Sequence, residues 1–407
     1  MAPLKDTKTA TVLVLVGTGS KNETKKTSGI SHFLEHMCFK GTQKRPRALD
    51  IATLMDGIGA EYNAFTGQEY TGFFAKVDSG HQDLALDVIS DIYLNSKFDP
   101  AEIEKEKGVI AEEINLYRDM PARYVSELFQ KLLYGDQPAG WPIAGEKENI
   151  LRFKRGDFLK YLAGHYSSKN TLVVATGAIQ PKKILEKIKK FFAPIGAGAP
   201  LPKPKTEEKQ NKPQALVYFK KTDQTHLSLG WRAFNLFDER RYALEILEVI
   251  LGGGMSSRLF DILRGQMGAA YYVSAGANLM TDCGYITVRA SVDNQRVPEI
   301  IKVILKEYRR FQKEPVPPKE LKKAKEHIKG SAILNLETSD EWATFLGGQE
   351  ILQKKILTPE EIFRKIDRVT AGDIQRLARE LFRPKKLNLA LIGPFKEKNK
   401  FLKIING

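Results

Sequence analysis

The sequence predicts an α+β protein of two similar domains, a duplicated unit in which each copy is a mostly antiparallel sheet covered by helices. Apolar runs of strand length recur at matching places in the two halves: Thr11–Val16 and Thr171–Gly177 in the first, Ala215–Phe219, Leu227–Trp231 and Leu387–Gly393 in the second. Long amphipathic stretches of helical period lie between them. A segment rich in Pro, Gly and Lys divides the chain into parts of similar size.

The expected division is an N-terminal domain over 1–195, a linker over 196–213 and a C-terminal domain over 214–407. The linker contains Pro200, Pro202, Pro204 and Pro213 with little apolar content. A chain of 407 residues is also too long for one ordinary core. The first apolar run is short and β-branched, follows Asp6 and ends in Gly17-Thr18-Gly19, which makes it a buried strand rather than a signal-peptide core. Gly29–Lys40 and Arg47–Gly57 read as helices, and residues 60–77 as two strands around a turn at Gly67. Asp99 is a good N-cap and Pro100 suits a first helical position, so a helix runs from there to about Arg118. Glu239–Leu251 is the matching first helix of the second half.

Composition narrows the function. With 42% hydrophobic and 28% charged residues and no apolar run of about 20 residues, the chain reads as a globular protein with no membrane partner. Cys38 and Cys283, the two cysteines, are too few and too far apart for a disulfide framework, which favours a reducing compartment and a cytoplasmic location. The net charge of +15 raises the reading of a nucleic-acid binder. The lysines, however, sit opposite apolar helix faces, as in Lys182–Lys190, and no stretch interleaves basic residues with stacking aromatics. A solvated lysine surface, with no nucleic-acid partner, is the expectation.

The chemistry lies in His32-Phe33-Leu34-Glu35-His36. On a helix His32 and His36 stand one above the other, with Cβ atoms about 5–6 Å apart, so both imidazoles can converge on one zinc ion. Glu35, on the same side, can reach a water in an open coordination position, giving the inverted zincin motif H-x-x-E-H. A third ligand must come from elsewhere, and the helix after Pro100 is rich in glutamates. Ile103, Ile110, Ile114 and Tyr117 form its apolar stripe. Glu112 points away from that stripe, whereas Glu106 and Glu113 lie two turns apart along its edge. Glu113 is assigned as the third ligand and Glu106 as the acid that orients a ligand histidine through its other ring nitrogen.

These stretches resemble the zinc peptidase family of pitrilysin, insulin-degrading enzyme and mitochondrial processing peptidase, in a half-length, bacterial-type form. The resemblance rests on Gly29–Met37, Phe39-Lys40-Gly41-Thr42, Asn63-Ala64-Phe65-Thr66, Glu106–Glu113 and Leu251–Leu259, and covers nearly the whole chain. It implies zinc, one ion per chain, on His32, His36 and Glu113, with Glu35 as general base and Glu106 in support. It implies that the strand at Asn63 and Ala64 pairs with an extended peptide substrate, and that Arg264 and Tyr271 act near the scissile carbonyl. Gly265 and Ala269 stand where the family often has a glutamate and a leucine. The fold implied is half of a clamshell. Two chains, as a homodimer or as a heterodimer with a related chain, would complete a chamber for unfolded peptides or small polypeptides, with Arg264 and Tyr271 serving the partner's zinc. Alternatives within the fold are a processing peptidase for one dedicated substrate and a non-catalytic assembly or scaffold subunit, the latter expected to have a degraded motif. The family also leads to the expectation of an additional first strand that this sequence lacks, leaving a sheet edge unpaired.

Overall fold

A computed structural model describes residues 1–406. In chain order its strands and α-helices are β1 (Ala2–Pro3), β2 (Thr9–Val16), α1 (Ile30–Cys38), α2 (Ala48–Asp56), β3 (Glu61–Thr66), β4 (Thr71–Asp78), α3 (Gln82–Leu94), α4 (Pro100–Asp119), α5 (Pro121–Tyr134), α6 (Lys147–Arg152), α7 (Arg155–His165), β5 (Thr171–Gly177) and α8 (Pro181–Phe191). There follow β6 (Gln214–Phe219), β7 (Gln224–Ala233), α9 (Arg241–Gly252), α10 (Arg258–Phe260), β8 (Ala270–Leu279), β9 (Gly284–Asp293), α11 (Val297–Lys313), α12 (Pro318–Leu334), α13 (Ser339–Gln353), α14 (Pro359–Arg368), α15 (Ala371–Leu381), β10 (Leu387–Gly393) and α16 (Lys398–Asn406).

The strands form two five-stranded sheets, ordered β1-β5-β2-β4-β3 and β6-β10-β7-β9-β8. The two orders are the same pattern repeated. In each, one edge strand is parallel to its neighbour and every other pair is antiparallel. This is the duplicated α+β unit that the repeated apolar runs predict. The edge position expected to stand empty is partly filled. Ala2 and Pro3 pair with Thr176 and Gly177 of β5, whereas β6, the counterpart in the second sheet, pairs over six residues with β10.

The chain divides into two compact units. The first comprises Met1–Asn115, Trp141–Pro204 and Leu334–Ile356, and the second Leu116–Gly140, Lys205–Ile333 and Leu357–Gly407. They are therefore not simply the sequential halves 1–195 and 214–407. The first unit takes in α13 from the second half of the sequence, and the second takes in α5 from the first.

Strand chemistry explains why. In β2, Val12 and Val14 face one side of the sheet and Leu13 and Leu15 the other, and all four are at most 2% exposed. A strand that is apolar on both faces needs cover on both. In the first unit α3 packs on β2 and β4, and α1 against β3. The opposite face is closed by α13, whose Ala343 and Ile351 join Leu13, Leu15 and Val174 in one cluster. Ser339 pins the start of α13, its hydroxyl lying 2.8 Å from that of Thr11 while its carbonyl accepts from Thr176 at 2.6 Å. Gly347 permits the close approach, since a Cβ there would stand 2.7 Å from Leu15 Cδ1. The second unit repeats the solution. Helices α9, α11 and α15 fill one face around Leu227, Leu229, Val288 and Leu389, and α5 covers part of the other through Val125, Phe129 and Leu133 against Ala390 and Ile392.

Replacing Gly347 with Leu should lift α13 from β2 and β5. Urea unfolding should show a loss of about 1–3 kcal/mol, the range for overpacked interiors, whereas Gly348→Ala, at a neighbour whose Cβ would meet nothing within 4 Å, should change stability little.

Candidate metal centre

The site begins with the anchoring of α1. Ile30, Phe33, Leu34 and Met37 are buried, and Phe33 meets Phe158 edge-on at 4.9 Å. The remaining face carries His32, Glu35 and His36, all half-buried. The helix starts at Gly29, whose φ of 96° is left-handed and whose Cβ would clash with the Ala144 carbonyl at 2.8 Å, so glycine is required there. The fully buried Glu23 carboxylate accepts from the backbone N–H groups of Gly29 and Ser31, each at 2.8 Å, satisfying donors that a helix start leaves open. Burial pushes the Glu23 carboxyl up to about 8, against the pull of those two bonds.

Helix α4 brings the second half of the site. Asp99 Oδ1 accepts from Ala101 N–H at 2.9 Å, the cap expected there. The phase read from the isoleucines holds: Ile103, Ile110 and Ile114 are buried, Glu106 is 4% exposed, Glu113 is half-buried and Glu112 is exposed.

His32, His36 and Glu113 come together. His32 Nε2 and His36 Nε2 lie 3.6 and 3.5 Å from the same Glu113 oxygen, Oε2, and one donor atom from each residue falls within 4.8 Å of the others. Zinc bonds of about 2.0–2.1 Å in tetrahedral array separate their donors by about 3.3–3.4 Å, so the two histidine–glutamate spacings match the edges of such a site. Two imidazoles and one carboxylate are also the donor set of a catalytic zinc with one open position. The residues present fit that metal.

The supporting contacts agree. His36 Nδ1 lies 2.9 Å from Glu106 Oε1, and a proton on Nδ1 would donate to that oxygen and leave the Nε2 lone pair for a metal. Glu106 Oε2 in turn lies 2.5 Å from the ammonium of Lys40. Burial raises the Glu106 carboxyl, but the bonds to His36 and Lys40 outweigh it and hold the group below its ordinary value. On His36 burial works against the charged form, while Glu106, Glu113 and Glu35 favour it and prevail. Glu35 Oε2 accepts from the Thr66 hydroxyl at 2.5 Å. Burial raises the Glu35 carboxyl above its ordinary value, with Thr66 opposing and Glu113 adding to the rise.

Asn63 and Ala64 lie on β3, the outer strand of the first sheet, and the side-chain oxygen of Asn63 accepts from Ala64 N–H at 2.8 Å. Arg264 and Tyr271 belong to the second unit. The Arg264 guanidinium sits 5.1 Å from the centre of the Phe260 ring, and Tyr271 is 73% exposed at a bulge between Ala270 and Tyr272. Lys40, Thr66 and Glu23 are site residues that the sequence reasoning missed. Lys40 could have been found as the lone charge between the motif and Gly41. No sequence period marks Thr66 or Glu23. Among the described residues no helix is long and apolar enough to cross a membrane.

The family description Insulinase (Peptidase family M16) matches residues 2–147, and the description Peptidase M16 inactive domain matches residues 152–328. The chain is 36% identical over 384 residues to an uncharacterized zinc protease, YmxG, of Bacillus subtilis, covering 94% of this chain and 92% of that protein. It is 31% identical over 401 residues to an uncharacterized zinc protease, SCO5738, of Streptomyces coelicolor, covering 97% and 87%. A solved protease structure from Helicobacter pylori matches at a TM-score of 0.90 over 96% of this chain and 95% of that one, and at 24% identity it speaks to the fold. The chain belongs to the insulinase family, peptidase family M16.

Proposed function

We propose that this chain is a zinc endopeptidase that hydrolyses unfolded peptides or small polypeptides, with one zinc ion per chain on His32, His36 and Glu113. The observation that carries the reading is the convergence of those three donors beside a half-buried carboxyl group, Glu35, within one unit. Zinc bound there would supply the Lewis acidity that polarises a carbonyl and acidifies a water.

The chain's own groups do the rest. Glu35 is steered by the Thr66 hydroxyl, accepts a proton from the attacking water and returns it to the departing amine. Glu106 fixes the tautomer of His36 and so the direction of its lone pair. The outer edge of β3 has no strand beyond it, and an extended peptide can add there through its backbone. The Asn63 amide would swing away from the Ala64 N–H as that strand docks. Such pairing asks little of the peptide's side chains, which suits a broad substrate range.

The finer parts of the reading rest on the resemblance of the sequence to that family. The working form is a homodimer, or a heterodimer with a related chain, enclosing its substrate in a clamshell chamber, with Arg264 and Tyr271 of one chain acting near the scissile carbonyl held by the other. The location is cytoplasmic, and nucleic acid is not a partner. A dedicated processing role is the second reading. The intact metal triad and its supporting acid argue against a purely scaffolding subunit.

Glu35→Gln should keep about one zinc per chain by metal analysis and lose about 10²–10⁴-fold in kcat on a quenched peptide, while His32→Ala should lose the metal itself. Glu106→Gln, with a neutral partner for His36, should weaken zinc binding about 10–100-fold in a chelator competition. The acid limb of the kcat/KM profile should report the ionisation of Glu35, activity falling as pH drops and the base takes up its proton. Thr66→Val removes a bond to the ionised form, so that limb should move to higher pH.

A further inference from the structure

The second sheet has a face whose chemistry differs from that of its core. Ser228 and Gly230 of β7 alternate with the buried Leu227 and Leu229. Across the ladder they pair with Arg289 and Thr287 of β9, which pair in turn with Ser274 and Gly276 of β8. Helix α5 packs on the β6, β10 and β7 side of the sheet. Beside it a cavity of about 260 Å³ opens, lined among others by Ser126 and Gln130 of α5 and by Ser228, Asn278, Thr287 and Arg289 of the sheet.

The groups that line this cavity suit a negatively charged ligand. Ser228 is 0% exposed, yet among the described residues its hydroxyl has no hydrogen-bond partner, and the buried hydroxyl oxygen of Ser126 has none either. Buried polar atoms are normally satisfied. The Arg289 guanidinium lines the cavity, is exposed, and forms no side-chain hydrogen bond or ion pair among the described residues. Gly276 leaves the space open, since a Cβ there would meet nothing within 4 Å. No acidic residue lines the cavity.

We propose that this cavity binds the carboxylate of a peptide. A guanidinium fork matches the two oxygens of a carboxylate, and flanking hydroxyl and amide donors can complete its shell without a competing negative charge. The carboxylate belongs either to the chain's C-terminus or to an acidic side chain. The proposal rests on the peptidase reading in making the ligand a peptide.

The test uses the full-length Glu35→Gln protein, which is expected to bind peptide without turnover. Affinities are measured by fluorescence anisotropy for three peptides of one neutral sequence: with a free C-terminus, with an amidated C-terminus, and amidated with a single internal Glu. One of the carboxylate-bearing peptides should bind about 10-fold more tightly than the neutral amide, as a charge-assisted hydrogen bond allows, and which one does so identifies the source. Arg289→Gln should erase the difference. Gly276→Val, which fills the open space with a residue suited to a strand, should erase it too, with the melting temperature unchanged. Equal affinity for all three peptides, or a preference that survives both substitutions, overturns the proposal. Cleavage by the unsubstituted chain reports separately on the peptidase. Carboxylate-dependent binding with no cleavage would keep this site and remove that activity, and cleavage with no carboxylate preference would do the reverse.

Discussion

Val12 and Val14 look one way from β2, Leu13 and Leu15 the other, and neither pair reaches solvent. Much of the architecture follows from that need for cover on both faces. Helices close at hand in the sequence cover one face of each sheet. The second face needs a further helix, and in both units it is drawn from the other half of the chain: α13 for the first sheet, α5 for the second. Polar pins and a glycine let α13 sit close enough to exclude water. Beside α5 the same face of the second sheet turns from Ala390 and Ile392 to Ser228, Thr287 and Arg289.

The same packing positions the metal centre. Helix α1 commits one face to the core through Phe33 and Leu34, which leaves His32, Glu35 and His36 together on the other. Helix α4 commits its isoleucines and keeps Glu106 and Glu113 along the margin. Glu106 then joins the two helices and the loop after α1, since it holds His36 with one oxygen and Lys40 with the other. The ligands are thus placed by groups that are not themselves ligands, and their geometry is set before any metal arrives. Glu35 is tied through Thr66 to β3, the outer strand of the first sheet, so the motif helix and that sheet edge are held together.

Much of this was legible in the sequence, for local reasons. Continuous apolar runs mark strands buried on both faces, and the spacing of His32, Glu35 and His36 marks a shared helix face. The isoleucine period on α4 was enough to separate Glu112 from Glu106 and Glu113. What was hidden is what depends on distant partners. Nothing in Ser339–Gln353 states that its Gly347 must lie on Leu15, more than three hundred residues away by sequence. A boundary at the proline-rich linker is a sound inference from composition, but composition does not record an exchange of helices. Lys40, Thr66 and Glu23 escaped for a similar reason: each is an ordinary polar residue until the fold brings it to a carboxylate or a helix start.

The exchange of α5 and α13 also bears on how the chain can fold as it leaves the ribosome. The first unit has most of its strands and helices by residue 204, but the helix that covers its second face ends only at Gln353. Until then Leu13, Leu15 and Val174 lack their cover, and domains that would otherwise mature one after another are made to finish together. Synthesis of the second half becomes part of the folding of the first. A nascent chain of this kind is exposed for most of its translation, and the time spent between residues 204 and 353 is when holding chaperones would matter most to it.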